Sequence, residues 1–198
     1  MRSDTDEPRG ARGDPGLPNP PRRLRLVPLG PELPAPELVA WLAGMLGDRL
    51  SVPAVVDPVV QGDEAWLTPE RSQLFSGRIV DSLLEYYPPP EGREPEEWVL
   101  GVTAADLQAG ARDFVFGEAT LGGGWAVVSI ARLGAAGEPA FRERLAKEAL
   151  HELGHLAGLR HCDRTGCLMH PAVNVAAVDA REAVLCDRCG RDGARARS

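Results

Sequence analysis

His151-Glu152-Leu153-Gly154-His155-Leu156-Ala157-Gly158-Leu159-Arg160-His161 is the stretch from which the rest of the chain is read. At about 100° per residue, His151 and His155 lie within roughly 40° of each other on a helix, one turn apart, so their imidazoles converge. On the same wheel Leu145, Ala149, Leu153 and Leu156 cluster roughly 120 to 200° away from His151, so the helix buries one side and offers the other to a cleft. Glu152 falls between the two faces. Pro139 suits the first turn, and Gly158 permits the left-handed backbone that ends a helix, which predicts a helix over 138–159. The turn at Gly158 then brings His161 back toward the other two histidines.

All four histidines fall between residues 151 and 170, and all four cysteines between 162 and 189. Three imidazoles from His151, His155 and His161 make a metal site with one position open to water, and Glu152 stands where it can take a proton from that water. Cys162 and Cys167, separated by four residues, precede Met169; Cys186 and Cys189 follow with two between them. Two cysteine pairs joined by a linker read as a structural zinc site, in which thiolates fill every position. Four unligated thiols, or one disulfide under oxidising conditions, are the alternatives. The segment from Cys162 to Cys189 has few large apolar residues, so metal is a plausible substitute for a core there. His170 has no place in either pattern and reads as a surface histidine.

Outward from this stretch, runs at 24–29 and 52–60 read as strands, and 36–50 reads as a helix through Leu38, Leu42, Met45 and Leu46. Residues 71–87 repeat the helical signal until Pro88, Pro89 and Pro90 stop it, and a polar loop follows at 91–97. Runs at 98–103, 114–118 and 125–133 read as three more strands, the last two separated by Gly122, Gly123 and Gly124. The order β-α-β-α-β-β-β-α predicts a mixed α/β (α+β) domain with a five-stranded sheet. Residues 1–23 and 191–198, rich in Pro, Gly and charge, read as disordered tails. The division expected is a catalytic part at 24–160 and a smaller C-terminal part at 161–190.

Composition narrows the function classes. The chain has 198 residues, 43% hydrophobic and 26% charged, enough for one folded domain. Its 22 basic against 29 acidic residues give a net charge of −7, which argues against broad electrostatic binding to nucleic acid or to an anionic membrane. No stretch of about 20 apolar residues suggests a transmembrane helix, and the first 25 residues lack the apolar run of a secretory signal. The cytoplasm is the expected address, and a monomer the default state.

From His151 to Cys189 the chain resembles the archaemetzincins, also called archaelysins, whose pattern extends the HExxHxxGxxH string of metzincin zinc proteases with the cysteines and methionine just described. The match covers 39 residues, about a fifth of the chain. The resemblance implies a metzincin-like zincin fold with an active-site helix and a small zinc-bound C-terminal subdomain, and two zinc ions per chain. By that resemblance His151, His155 and His161 bind the catalytic zinc, and Glu152 is the general base. Met169 forms the Met-turn beneath the site, and Cys162, Cys167, Cys186 and Cys189 hold the second zinc. Phe114, Val115, Phe116, Gly117 and Glu118 resemble the edge strand that holds extended substrate in that family.

The implied function is hydrolysis of a peptide or protein substrate. One alternative is a zinc-stabilised binding protein with vestigial activity. Another is a metal-dependent endoribonuclease with three histidines at this spacing, which Glu152 and the acidic net charge disfavour.

Overall fold

The computed structural model describes residues 16–68, 73–91, 95–135 and 137–195. Its first half runs β1 (Arg23–Gly30), α1 (Pro36–Leu50), β2 (Ala54–Val56), β3 (Val60–Gln61), β4 (Leu67–Thr68), β5 (Gln73–Phe75) and α2 (Ser76–Tyr86). Its second half runs β6 (Glu97–Thr103), β7 (Leu107–Gln108), β8 (Gly117–Ala119), β9 (Trp125–Ser129), α3 (Pro139–Leu156), α4 (Val175–Ala180) and α5 (Asp187–Arg195).

Alternation along the strands sets the layers, because successive side chains point to opposite faces. Leu24 and Leu26 of β1, Leu100 and Val102 of β6, and Ala126 and Val128 of β9 share one core with α1 and α3. Val27, Leu29, Val99 and Val127 face the other way and pack with Ile79, Val80 and Leu83 of α2. Buried on both faces, the central strands read as nearly continuous apolar runs. The main sheet has the order β2-β1-β6-β9-β8, with β3 also on β1. Its strands are parallel except β8, which runs antiparallel to β9 and ends the sheet. Strands β4, β5 and β7 form a small second sheet. The mixed α/β class is as expected, and the core of α1 and α3 continues through Leu168, Met169, Val178 and Leu185 into the C-terminal segment.

Several boundaries differ from expectation, each for a local reason. The strand expected over 52–60 is two pieces on one edge of β1, β2 beside Leu24–Leu26 and β3 beside Leu29–Gly30. Pro58 between them cannot donate to a ladder, so the chain steps off the edge. The helix expected from residue 71 begins at Ser76, because Leu74 is drawn into pairing with Leu67 and Leu107; residues 71 and 72 lie outside the described residues. The strand expected over 125–133 stops at Ser129, whose Oγ donates to Ala105 O (2.7 Å) and accepts from the Ala131 N–H (3.1 Å).

The tails differ as well. Leu17 is buried in the main core, and α5 carries helix to Arg195, so neither end is wholly irregular. The remainder of the expected tails, 1–15 and 196–198, and part of the polar loop, 92–94, lie outside the described residues. No described helix is long and apolar enough to cross a membrane.

Candidate metal centre

Helix α3 buries Leu145, Ala149, Leu153 and Leu156, the face predicted from the wheel, and turns His151, Glu152 and His155 toward a cleft of about 720 Å³. It ends at Leu156, three residues before the expected limit. Gly158 takes φ +86°. Its N–H donates to His155 O (2.9 Å) and that of Leu159 to Gly154 O (2.9 Å), the paired bonds of a Schellman stop. The reversal brings His161 within reach, with ring centroids 5.3 Å from His151 and 4.8 Å from His155.

One nitrogen from each imidazole falls in a set whose members lie within 4.8 Å of one another. His151 Nε2 and His155 Nε2 are 3.2 Å apart. Two ligands at about 2.05 Å in a tetrahedral zinc site stand about 3.3 Å apart, so the pair fits zinc as it is. The opposite ring nitrogens are engaged: His151 Nδ1 is 2.8 Å from Leu168 O, and His155 Nδ1 is 2.8 Å from Leu159 O. Donation from Nδ1–H to those carbonyls leaves the lone pair on Nε2, the tautomer a metal ligand needs. Burial, aided by the Arg181 guanidinium and the other imidazoles, holds the His151 pKa well below its ordinary value. Burial lowers those of His155 and His161 also. Each shift favours the neutral imidazole, the form that ligates a metal.

Glu152 is buried beside these rings. Burial, and then the neighbouring Glu148 carboxylate, raises its pKa well above the ordinary carboxylate range. A cation at the imidazoles would oppose that shift. Strand β8 passes directly against Glu152, since a Cβ at Gly117 would lie 2.6 Å from Glu152 Oε1.

The expected edge strand over 114–118 is only partly a strand. Regular pairing spans Gly117–Ala119, and Val115 makes an isolated bridge to Leu107. Val115 and Phe116 turn into the two cores, Phe114 stacks edge-on to Phe116 (5.3 Å), and Glu118 accepts a hydrogen bond from Ser76 Oγ. All five residues nonetheless line the cleft.

Met169 is fully buried below α3, where a Cβ at Gly154 would overlap its sulfur. His170 is half-buried, with Nδ1 3.0 Å from Cys162 O, and so differs from the surface histidine expected.

The four cysteines gather behind this turn as free thiols. Cys162 Sγ and Cys186 Sγ are 3.8 Å apart, and Cys167 Sγ and Cys189 Sγ 3.7 Å. A disulfide needs about 2.05 Å, whereas thiolates at about 2.3 Å from a tetrahedral ion stand about 3.8 Å apart. The Cys186 N–H donates to Cys167 Sγ (3.4 Å), and Arg188 donates to Cys162 Sγ (3.3 Å) and to Asp163. Burial opposes ionisation of Cys186, but the Cys189 N–H and the neighbouring thiols pull it down to about 7. Burial pushes Cys167 and Cys189 up. Four adjacent thiols ionise together only around a cation, and this donor set and spacing fit zinc.

Two buried residues at the centre escape a reading of the sequence. Arg181, just past α4, donates to Glu148 of α3, and its Nη1 lies 2.9 Å from His151 Nδ1. Glu148 was findable, being one turn before His151 on the same face; nothing local marks Arg181.

Comparison with known proteins places this arrangement. An archaemetzincin of Aeropyrum pernix is 34% identical over 160 residues, which make up 77% of this chain and 84% of that protein. This chain belongs to the archaemetzincins. The family pattern described as peptidase family M54 matches residues 98–195, from β6 to the end of α5. The crystal structure of an archaemetzincin from Archaeoglobus fulgidus is similar with a TM-score of 0.74 at 34% identity, covering 85% of this chain and 98% of that one. A second archaemetzincin structure, from Methanopyrus kandleri, gives a TM-score of 0.71 at 30% identity, covering 95% and 97%. By sequence alone, the chain spans less than two thirds of the first curated archaemetzincins it matches, 59% for that of A. fulgidus, to which it is 45% identical over 95 residues, 48% of this chain.

Proposed function

We propose that this chain is a zinc-dependent metallopeptidase that hydrolyses peptide bonds with Glu152 as general base. The observation that carries the proposal is the meeting of three imidazoles and one buried carboxylate in a cleft bounded by the terminal strand of the sheet. His151, His155 and His161 would hold the zinc, which would supply Lewis acidity toward water and a substrate carbonyl.

The chain's own groups do the rest. Leu168 O and Leu159 O fix the tautomers and planes of His151 and His155. The Glu152 carboxylate, buried beside the imidazoles, accepts a proton from the attacking water and returns it to the leaving amine. The outer edge of β8 offers main-chain hydrogen bonds to an extended peptide, with Phe114, Val115, Phe116, Gly117 and Glu118 as the wall beside it. Met169 forms the floor. Cys162, Cys167, Cys186 and Cys189 would hold a second zinc, whose role would be structural.

The test is to incubate the zinc-loaded protein and its Glu152→Ala variant with a diverse peptide library at neutral pH and to read products by mass spectrometry. Cleavage by the parent alone is expected. Equal cleavage by both removes Glu152 from the mechanism, and none by either, with zinc confirmed, favours a binding protein.

A further inference from the structure

The fully buried Arg181 side chain links three parts of the metal centre. Its Nη2 donates to the Glu148 carboxylate on α3, and its Nη1 donates to His170 O (3.0 Å). The same Nη1 lies 3.4 Å from Leu168 O and 2.9 Å from His151 Nδ1. His151 Nδ1 in turn is 2.8 Å from Leu168 O. Glu148 and His151 are three residues apart and share a helix face. A closed ring therefore runs from Glu148 along α3 to His151, across to the turn carrying Met169, and back through Arg181.

We propose that the Arg181–Glu148 pair is a positioning device for the three-histidine centre, holding the turn around Met169 against α3 so that Leu168 O keeps the proton on Nδ1 of His151 and frees Nε2 for the ion. This rests on the reading of His151, His155 and His161 as a metal site. Nδ1 of His151 has the Leu168 carbonyl on one side and Arg181 Nη1 on the other, and it satisfies one of them, not both; Nη1 has its own acceptors in His170 O and Leu168 O, so it does not need the Nδ1 lone pair. Only donation to Leu168 O leaves Nε2 with a lone pair. By anchoring His170 O on the far side of Met169, Arg181 keeps Leu168 O in place for that bond.

Glu148 has its own part. A bare guanidinium against a ligand imidazole would repel a dication, and the carboxylate cancels that charge. Stability alone is a poor reason for the pair. Buried ion pairs seldom outperform apolar replacements, and Arg181 Nε is the one buried side-chain polar atom without a partner among the described residues.

Cobalt(II) titration of the metal-free full chain tests this, because thiolate-bound cobalt has intense charge-transfer bands that imidazole-bound cobalt lacks, so the two sites are read separately. Two variants are compared with the parent: the apolar double variant Glu148→Leu/Arg181→Met, and Arg181→Lys, whose single ammonium reaches Glu148 without the fork that also holds His170 O. In both, cobalt uptake at the cysteines is expected to match the parent, while affinity at the histidines falls about 10- to 100-fold. Histidine-site affinity within about threefold of the parent in either variant overturns the proposal. So does loss of the thiolate bands in the double variant, which would make the pair a folding element. A parent that takes up only the thiolate-bound equivalent overturns the three-histidine reading itself, and the proposal with it.

Discussion

Replacing Gly154 by alanine measures how tightly the floor of the centre is packed. In an open helix interior, Gly→Ala gains about 1 kcal/mol. Gly44 of α1 is such a place, with nothing within 4 Å of an added Cβ, so Gly44→Ala is expected to show that gain. At Gly154 the added Cβ overlaps Met169 Sδ and lies 3.1 Å from its Cε. Met169 is 0% exposed and has no free side to retreat into, so overpacking costs about 1–3 kcal/mol against the same helical gain. The two variants should differ by about 1–3 kcal/mol, with Gly154→Ala the less stable. At about 2–4 °C per kcal/mol for a chain of this size, that is a Tm gap of about 2–12 °C.

Scanning calorimetry at one fixed excess of zinc is the assay, because bound metal itself shifts Tm. A double-mutant cycle with Met169→Ala supplies the second reading. Truncating Met169 removes the atom in the way, so the Gly154→Ala cost should shrink by at least about 0.5 kcal/mol in that background. Equal stabilisation by Gly44→Ala and Gly154→Ala, or no coupling to Met169, would refute the packing of this turn against α3.

Further outcomes are expected elsewhere. Zinc analysis should find about two ions per chain, and a thiol reagent should leave all four cysteines unmodified in the loaded protein and modify all four after chelation; a value near one ion eliminates a site. Leu17→Ala should cost about 2 kcal/mol in denaturant unfolding, since Leu17 is 7% exposed; a cost near zero would return residues 16–22 to an unpacked tail. Burial, and then the hydrogen bond with Asp57, push Tyr87 up from 10.0 to about 12. The folded state thus keeps a proton that the unfolded chain releases, so this contribution to stability is present below pH 10.0 and is lost as pH rises through about 12. Ultraviolet difference titration should show one tyrosine ionising late, and earlier in Asp57→Asn; a single step for both tyrosines near 10 would contradict the contact.

The features legible in the sequence are those that local spacing or ligand chemistry writes down. Leu145, Ala149, Leu153 and Leu156 recur at the helical period and are the buried face of α3. The histidines and cysteines announce themselves because few other uses would gather them so closely, and the resemblance to the archaemetzincins followed from the same residues. Strands β4, β5 and β7, of two or three residues each, have no period to read, and Leu74 joins two of them only through Leu67 and Leu107.

Arg181 is the sharper case. It is an arginine like many others in the chain until α4 is brought back over α3, where Arg144 clasps Asp179 at 2.7 and 2.9 Å and Val178 is buried. That docking puts Arg181 opposite Glu148, 33 residues away. Glu148 itself posed a question the sequence could have raised. A carboxylate one turn before His151, on the cleft face of a helix that buries most of its length, needs a cation for a partner. The chain provides that cation from a segment with no motif of its own. On the positioning role proposed above, this contact is what keeps His151 oriented toward the other two imidazoles.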